Sequence, residues 1–249
     1  MEDGVQLTSD HVFPKSWYPD TTPKYEYKWQ VPACYSCNSN YGKIERDLLI
    51  RFALCLNPND PDNASIVAKG KRSIDPKFGK NKKDRKARLD KRKSILSQIW
   101  KGQDIPSESI YPNLGYHPEV SPDEEIALPI PADGLEKLAR KIVRGITHIK
   151  NGLFIEDTYE ISFFAISNDD SLFLKNILKK HGSIIAVEPG ISVNRAIIKD
   201  DPVSAIFEIV MWKVVKMHCI VRRKKDGTNS VKEAVEDQDY MGETSASET

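Results

Sequence analysis

The stretch from Val5 to Phe52, VQLTSDHVFPKSWYPDTTPKYEYKWQVPACYSCNSNYGKIERDLLIRF, changes its apolar period partway, and that change decides how the first part of the chain folds. Val5 and Leu7 alternate with polar neighbours up to Asp10, the two-residue period of a short strand, and Pro14 then breaks the ladder. Pro14, Pro19 and Pro23, with several aromatics, make residues 15–28 a loop. Trp29 to Ala33 reads as a second short strand, and from about Ser39 the apolar residues Ile44, Leu48, Leu49 and Phe52 fall at helical spacing. The expected order is strand, loop, strand, a tight turn carrying Cys34 and Cys37, then helix.

Working outward, residues 57–82 are rich in Asn, Asp, Pro, Gly and Lys and read as a flexible connector. Asp84 to Trp100 predicts a basic helix with Ala87, Ile95, Ile99 and Trp100 toward its apolar end. Gly134 to Lys150 is the strongest helical pattern in the chain: Leu135, Leu138, Ile142 and Ile146 share one face, and Gly152 is a stop signal. Tyr159 to Ile166, Ile184 to Val187 and a long Val203 to Val221 segment are β-like, with a helix from Asp169 to His181 between the first two. The expected fold class is α+β: an N-terminal ββα unit over residues 1–56, a basic connector and helix over 57–101, a C-terminal α+β domain with an antiparallel sheet over 102–225, and a disordered acidic tail over 226–249.

The 249 residues, 39% of them hydrophobic, suffice for a buried core, which excludes disorder throughout. No run approaches the ~18 apolar residues of a membrane helix, and the charged start lacks a secretory h-region. The expectation is a soluble, cytoplasmic protein with no membrane partner. The net charge of +1 hides a segregation: thirteen lysines and arginines between Lys69 and Lys93 face three aspartates, while seven acids and one lysine follow from Asp226 on. A polyanion would meet the basic segment as a concentrated patch, although a solvated loop running into a helix would look the same. Four cysteines are too few for a disulfide scaffold, and Cys34-x-x-Cys37 suggests metal or redox chemistry.

Two strings carry the chemistry, Asp10-His11-Val12-Phe13-Pro14-Lys15 and Val31-Pro32-Ala33-Cys34-Tyr35-Ser36-Cys37-Asn38. Joined in this order they resemble HNH endonucleases, specifically bacterial HNH proteins with an acidic-His-Val-x-Pro-Lys string followed by Val-Pro-Ala-Cys-x-x-Cys-Asn. The likeness covers about residues 8–50, and the Leu138-Ala-Arg-Lys-Ile-Val-Arg-Gly145 helix is similar to the continuation in such proteins. The resemblance implies a ββα-metal module in which Asp10 and Asn38 match the metal ligands and His11 the general base. Carboxylate and amide oxygens suit Mg²⁺ or Mn²⁺, and a neutral imidazole with a free pKa of about 6.5 accepts a proton at cellular pH. Adjacent strand residues face opposite sides, so Asp10 and His11 reach one phosphate only if the strand ends or bulges there.

The chain departs from the family in two places. Lys28, Trp29 and Gln30 stand where the middle asparagine belongs, which makes Gln30 the candidate for its loop-pinning role. Relatives commonly carry a further C-x-x-C upstream that completes a tetrahedral zinc site, whereas the nine residues before Asp10 contain no cysteine. Cys34 and Cys37 then supply half of a structural Zn²⁺ site, with Cys55 a poorly spaced third ligand. Taken alone, the pair reads equally as a zinc knuckle or a redox pair, and Asn38 as a helix cap. Glu45 resembles a glutamate often present in this group, its plainer role being an ion pair that steadies the loop. His117, His148, His181 and His218 pair with nothing in the motif, and Cys219 reads as a buried small residue.

These readings set the functional expectations. Lys15 and Lys43 are placed beside the reacting phosphate, and Lys82, Lys83, Arg85, Lys86 and Arg88 along more of the nucleic-acid backbone, gaining affinity by counterion release. DNA is the expected substrate by resemblance, with RNA open; the products would carry 5′-phosphate and 3′-hydroxyl ends. Such proteins often serve bacterial restriction or antiviral defence, so the C-terminal domain is expected to dock a sensor or ATPase, an analogy only. A homodimer would place two sites on opposite strands. The rival is a non-catalytic nucleic-acid-binding or adaptor protein that keeps a degraded HNH scaffold.

Overall fold

Strand β1 (Leu7–His11) runs antiparallel to β2 (Gln30–Cys34) in unbroken register, from Leu7 opposite Cys34 to His11 opposite Gln30. Cys34 then caps helix α1 (Tyr35–Cys55). This is the strand, loop, strand, helix order that the periodicity predicts, with the helix starting four residues earlier because the Cys turn is its first turn. A computed structural model describes residues 6–24, 28–61, 63–106, 121–165, 171–188 and 190–224. The acidic tail over 226–249 and His117 lie outside the described residues.

Residues 57–82 are not a plain connector. They contain α2 (Ala64–Ile74) and a 3-10 turn over Pro76–Phe78. Ile66, Val67, Gly70 and Ile74 recur at helical spacing among lysines and are buried. Gly70 lies so close to α1 that a Cβ on it would stand 2.2 Å from Ala53 Cβ. The basic helix α3 (Lys82–Leu96) begins two residues before its expected start and stops four before its expected end. Asn81 caps it, its side chain accepting from the Asp84 amide at 2.9 Å. Trp100 instead enters the two-residue strand β3 (Trp100–Lys101), paired with β4 (Ile126–Ala127).

Helix α4 (Ala132–Asn151) ends where Gly152 takes a left-handed φ of 66°. The second half is a five-stranded sheet formed by β5 (Tyr159–Phe164), β6 (Ser183–Glu188), β7 (Ile191–Ile198), β8 (Asp201–Met211) and β9 (Val215–Arg223), with α5 (Leu172–His181) between the first two. Its order is β5-β9-β8-β7-β6, every neighbouring pair antiparallel. The α+β class with an antiparallel sheet is thus as expected, but two details differ. Strand β7 is additional, and the Val203–Val221 segment is a hairpin rather than one strand. Its turn has positive φ at Trp212 (51°) and Lys213 (66°), where Asn-Gly is the usual signal.

The Trp212 turn is held by what it packs against. Its backbone amide donates to Gly190 O at 2.6 Å, its indole donates to Trp17 O at 3.3 Å, and its ring lies 5.1 Å from that of Trp17 and 5.8 Å from that of Phe52. One hydrophobic core therefore runs from Val12, Phe13 and Trp17 through α1 and α4 to Phe207, Met217 and Val221. Helix α4 packs on α1 and β2 as well as on β5, β8 and β9. Leu138, Ile142 and Ile146 on it are fully buried, each contributing roughly 1.5–3 kcal/mol, a large share of a typical net stability of about 5–15 kcal/mol. Helix α4 cannot leave without unfolding what lies on either side. No helix among the described residues is long and apolar enough to cross a membrane.

Candidate functional site

The β1–β2 ladder sorts the residues around Asp10 by parity. Thr8 and Asp10 share one face, and Ser9 and His11 the other. On the first face Thr8 Oγ1 donates to Ala33 O at 2.9 Å and accepts from Asn38 Nδ2 at 3.1 Å. The same Nδ2 donates to Ser9 O at 3.1 Å. With both amide hydrogens given to β1, Asn38 Oδ1 has no partner among the described residues. Asn38, Tyr41 and Glu45 recur three and four residues apart and so share a face of α1.

Asp10 is 7% exposed and Lys141, on α4, 6%. Lys141 Nζ donates to Asp10 Oδ1 at 2.9 Å and to Glu45 Oε1 at 2.5 Å, and stands 5.3 Å from the Tyr41 ring centroid. Oδ2 of Asp10 carries no hydrogen bond among the described residues. Burial holds the Glu45 carboxyl above its ordinary pKa, with the Lys141 charge opposing.

On the second face His11 Nε2 meets Gln30 Nε2 at 3.2 Å, and Gln30 Oε1 accepts from Ser9 Oγ. Gln30, opposite His11 in the ladder, thus fixes the imidazole at one nitrogen and leaves Nδ1 without a partner among the described residues. The expected break does not fall between Asp10 and His11: pairing is regular through both, Val12 N then donates to Trp29 O at 2.9 Å, and the two side chains lie on opposite faces of the strand. Burial lowers the His11 pKa below 6.5; the Lys15 charge lowers it further, Asp10 raises it, and Lys141 and Lys28 lower it. The lowered pKa favours the neutral ring, whose one lone pair, at Nε2, accepts from the Gln30 amide.

The other predicted residues fall into place unevenly. Cys34 Sγ accepts from the Cys37 amide at 3.3 Å and meets Ser36 Oγ at 3.3 Å. Hydrogen bonding from Cys37, then Ser36, brings the Cys34 thiol down to about 7, and the same contact raises Cys37. No group of three or more His, Cys, Asp or Glu side chains suited to a metal is present among the described residues, so the pair completes no tetrahedral zinc set there. Cys55 is removed as a third ligand: it lies eighteen residues after Cys37 on the same helix, about 27 Å away at 1.5 Å per residue. Burial raises its thiol to about 11. Cys219 is buried as expected, its thiol pushed to about 12. His148 stacks on Phe154 and His218 is buried on β9.

Lys15 is exposed beside His11, whose pKa it shifts, whereas Lys43 lies on another face of α1, at a shallow cavity lined also by Ile44, Asp47 and Gly134. On α3, Lys82, Lys83 and Lys86 are exposed and carry no hydrogen bond or ion pair among the described residues. Arg85 and Arg88 are engaged: Arg85 Nε donates to Gly79 O at 3.3 Å, and Arg88 Nε to Asp84 at 3.1 Å. Lys91 pairs with Asp47, which also holds Arg51 at 2.8 Å, and this ties the basic helix to α1.

Sequence reasoning missed Lys141. Its signal is legible afterwards: position 141 falls between Leu138 and Ile142 on the buried stripe of α4, where a lysine requires a partner. No protein-family model, no curated protein and no solved structure matches this chain.

Proposed function

We propose that the chain is a metal-dependent HNH endonuclease hydrolysing DNA phosphodiester bonds. The observation that carries the reading is the arrangement at the end of β1: a carboxylate oxygen of Asp10 and the amide oxygen of Asn38 both lack partners among the described residues, with His11 the next residue along. One carboxylate and one amide oxygen fit a hard cation that keeps several positions for water and phosphate. Mg²⁺ or Mn²⁺, when bound there, supplies charge stabilisation to the phosphate oxygens and the departing 3′ oxygen.

The chain's own residues do the rest. Asp10 Oδ2 and Asn38 Oδ1 would hold the ion. Gln30 Nε2 donates to His11 Nε2 and orients the ring, and Nε2, the nitrogen with the lone pair, takes the proton of the attacking water when that water displaces the amide. Lys15 lies beside the imidazole, and Lys82, Lys83 and Lys86 extend the cationic surface along the backbone of the substrate. Purified protein is expected to nick supercoiled plasmid with Mg²⁺ or Mn²⁺ and to lose that activity in His11→Ala. Full metal-dependent cleavage by the variant removes His11 as the base.

A second reading, a nucleic-acid-binding protein with a silent site, is favoured by one observation: the Lys141 ammonium already pairs with Asp10. A salt-sensitive gel shift without nicking across a Mn²⁺ titration selects it.

A further inference from the structure

Helix α4 offers Lys141 to a site formed 131 residues earlier in the chain. It reaches that site because of Gly145, one turn further on. A Cβ at Gly145 would stand 2.7 Å from Val12 Cγ2, so the absence of a side chain lets α4 lie against the end of β1 directly after Asp10 and His11. Lys141 shares this face with Leu138, Ile142 and Gly145, so its stem runs inward among apolar neighbours and its ammonium emerges between β1 and α1.

Stability alone does not explain a lysine there, because well-packed apolar residues in place of a buried ion cluster are often equally stable or more so. The charge count is informative. Asp10 and Glu45 against Lys141 leave one negative charge in excess at a nearly buried position. The arrangement occupies Oδ1 of Asp10 and leaves Oδ2 open, while Glu45 is drawn to the ammonium.

We propose that Lys141 is a positioning residue of this site: it clamps one oxygen of Asp10 and holds Glu45 aside, so that the aspartate offers a divalent cation a single fixed oxygen and the glutamate does not compete. The inference rests on the nuclease reading. Without the ammonium, both carboxylates are free to bind one ion, more tightly because the cluster gains a negative charge, and in a geometry that no longer suits the phosphate.

The test titrates full-length protein with Mn²⁺, following free Mn²⁺ by electron paramagnetic resonance, alongside plasmid nicking at saturating Mn²⁺. Lys141→Met is expected to tighten Mn²⁺ binding by about tenfold while nicking falls by about tenfold or more. Lys141→Arg, which keeps the charge, should stay within about threefold of the parent in Mn²⁺ affinity. Glu45→Gln, isosteric and less charged, should weaken Mn²⁺ binding by about tenfold, and it serves if Lys141→Met does not fold. Parent-like affinity and nicking in Lys141→Met, or parent-like affinity in Glu45→Gln, overturns the positioning role while the parent still binds and cuts. A parent that neither binds Mn²⁺ nor nicks overturns the nuclease reading, and this inference with it.

Discussion

Asp10 and His11 are neighbours in sequence and opposites in circumstance. Asp10 faces inward to α4, nearly buried and paired with Lys141. His11 faces outward, half-buried, held at one nitrogen by Gln30 and with its charge depressed by desolvation and by Lys15. On the proposed reading, a single regular strand serves two needs that conflict at one position: a group that must not move and a group that must exchange a proton with water. The alternation of the strand separates them without a bulge.

The comparison can be broken by variants that treat the two faces differently. Asp10→Ala should act on both activity and stability. Nicking is expected to fall about 10³-fold, and losing a partner of buried Lys141 should cost about 1–3 kcal/mol in urea unfolding. His11→Ala should reduce nicking by about 10²–10⁴-fold while leaving stability within about 0.5 kcal/mol; a large stability loss would mean that the outer face is as structural as the inner. Gln30→Leu, which frees the ring without removing it, should slow nicking by about 10–100-fold with unchanged Mn²⁺ affinity.

Two smaller effects sharpen the contrast. Replacing Lys82, Lys83 and Lys86 together by alanine should lower the salt slope of DNA binding by about 2.7, at about 0.9 per phosphate contact, and leave nicking of saturated DNA intact. The His11 titration, followed by NMR of the metal-free protein, should lie below 6.5, and Lys15→Ala should move it upward, since a charge that disfavours imidazolium is gone. The sign for stability follows: the folded value is depressed, so the contribution of His11 is present above pH 6.5 and is lost as pH falls through the folded value.

The local part of the site was legible because its signals are local. Strand alternation, Pro14 and the Cys turn set β1, β2 and α1 within a few residues, and α4 was readable from Leu135, Leu138, Ile142 and Ile146 alone. Helix α2 was missed although Ile66, Val67, Gly70 and Ile74 fall at helical spacing, because the Asn, Asp, Pro, Gly and Lys around them make residues 57–82 read as a connector. The β8–β9 turn was missed because Trp212 and Lys213 adopt positive φ without Asn or Gly, a strain offset by contacts with Trp17, Phe52 and Gly190 far along the chain. Lys141 was missed for the same reason. Its partners lie in strand β1 and helix α1, and sequence spacing cannot express a contact 131 residues long.

The late position of that lysine bears on synthesis. A nascent chain carries Asp10 and Glu45 out of the ribosome well before residue 141 is added, so two acids meant for one enclosed place must wait in water for their counter-charge. The Asp10–Lys141–Glu45 cluster cannot close before α4 is made, and a prematurely terminated product lacking α4 would have the motif residues without this counter-charge.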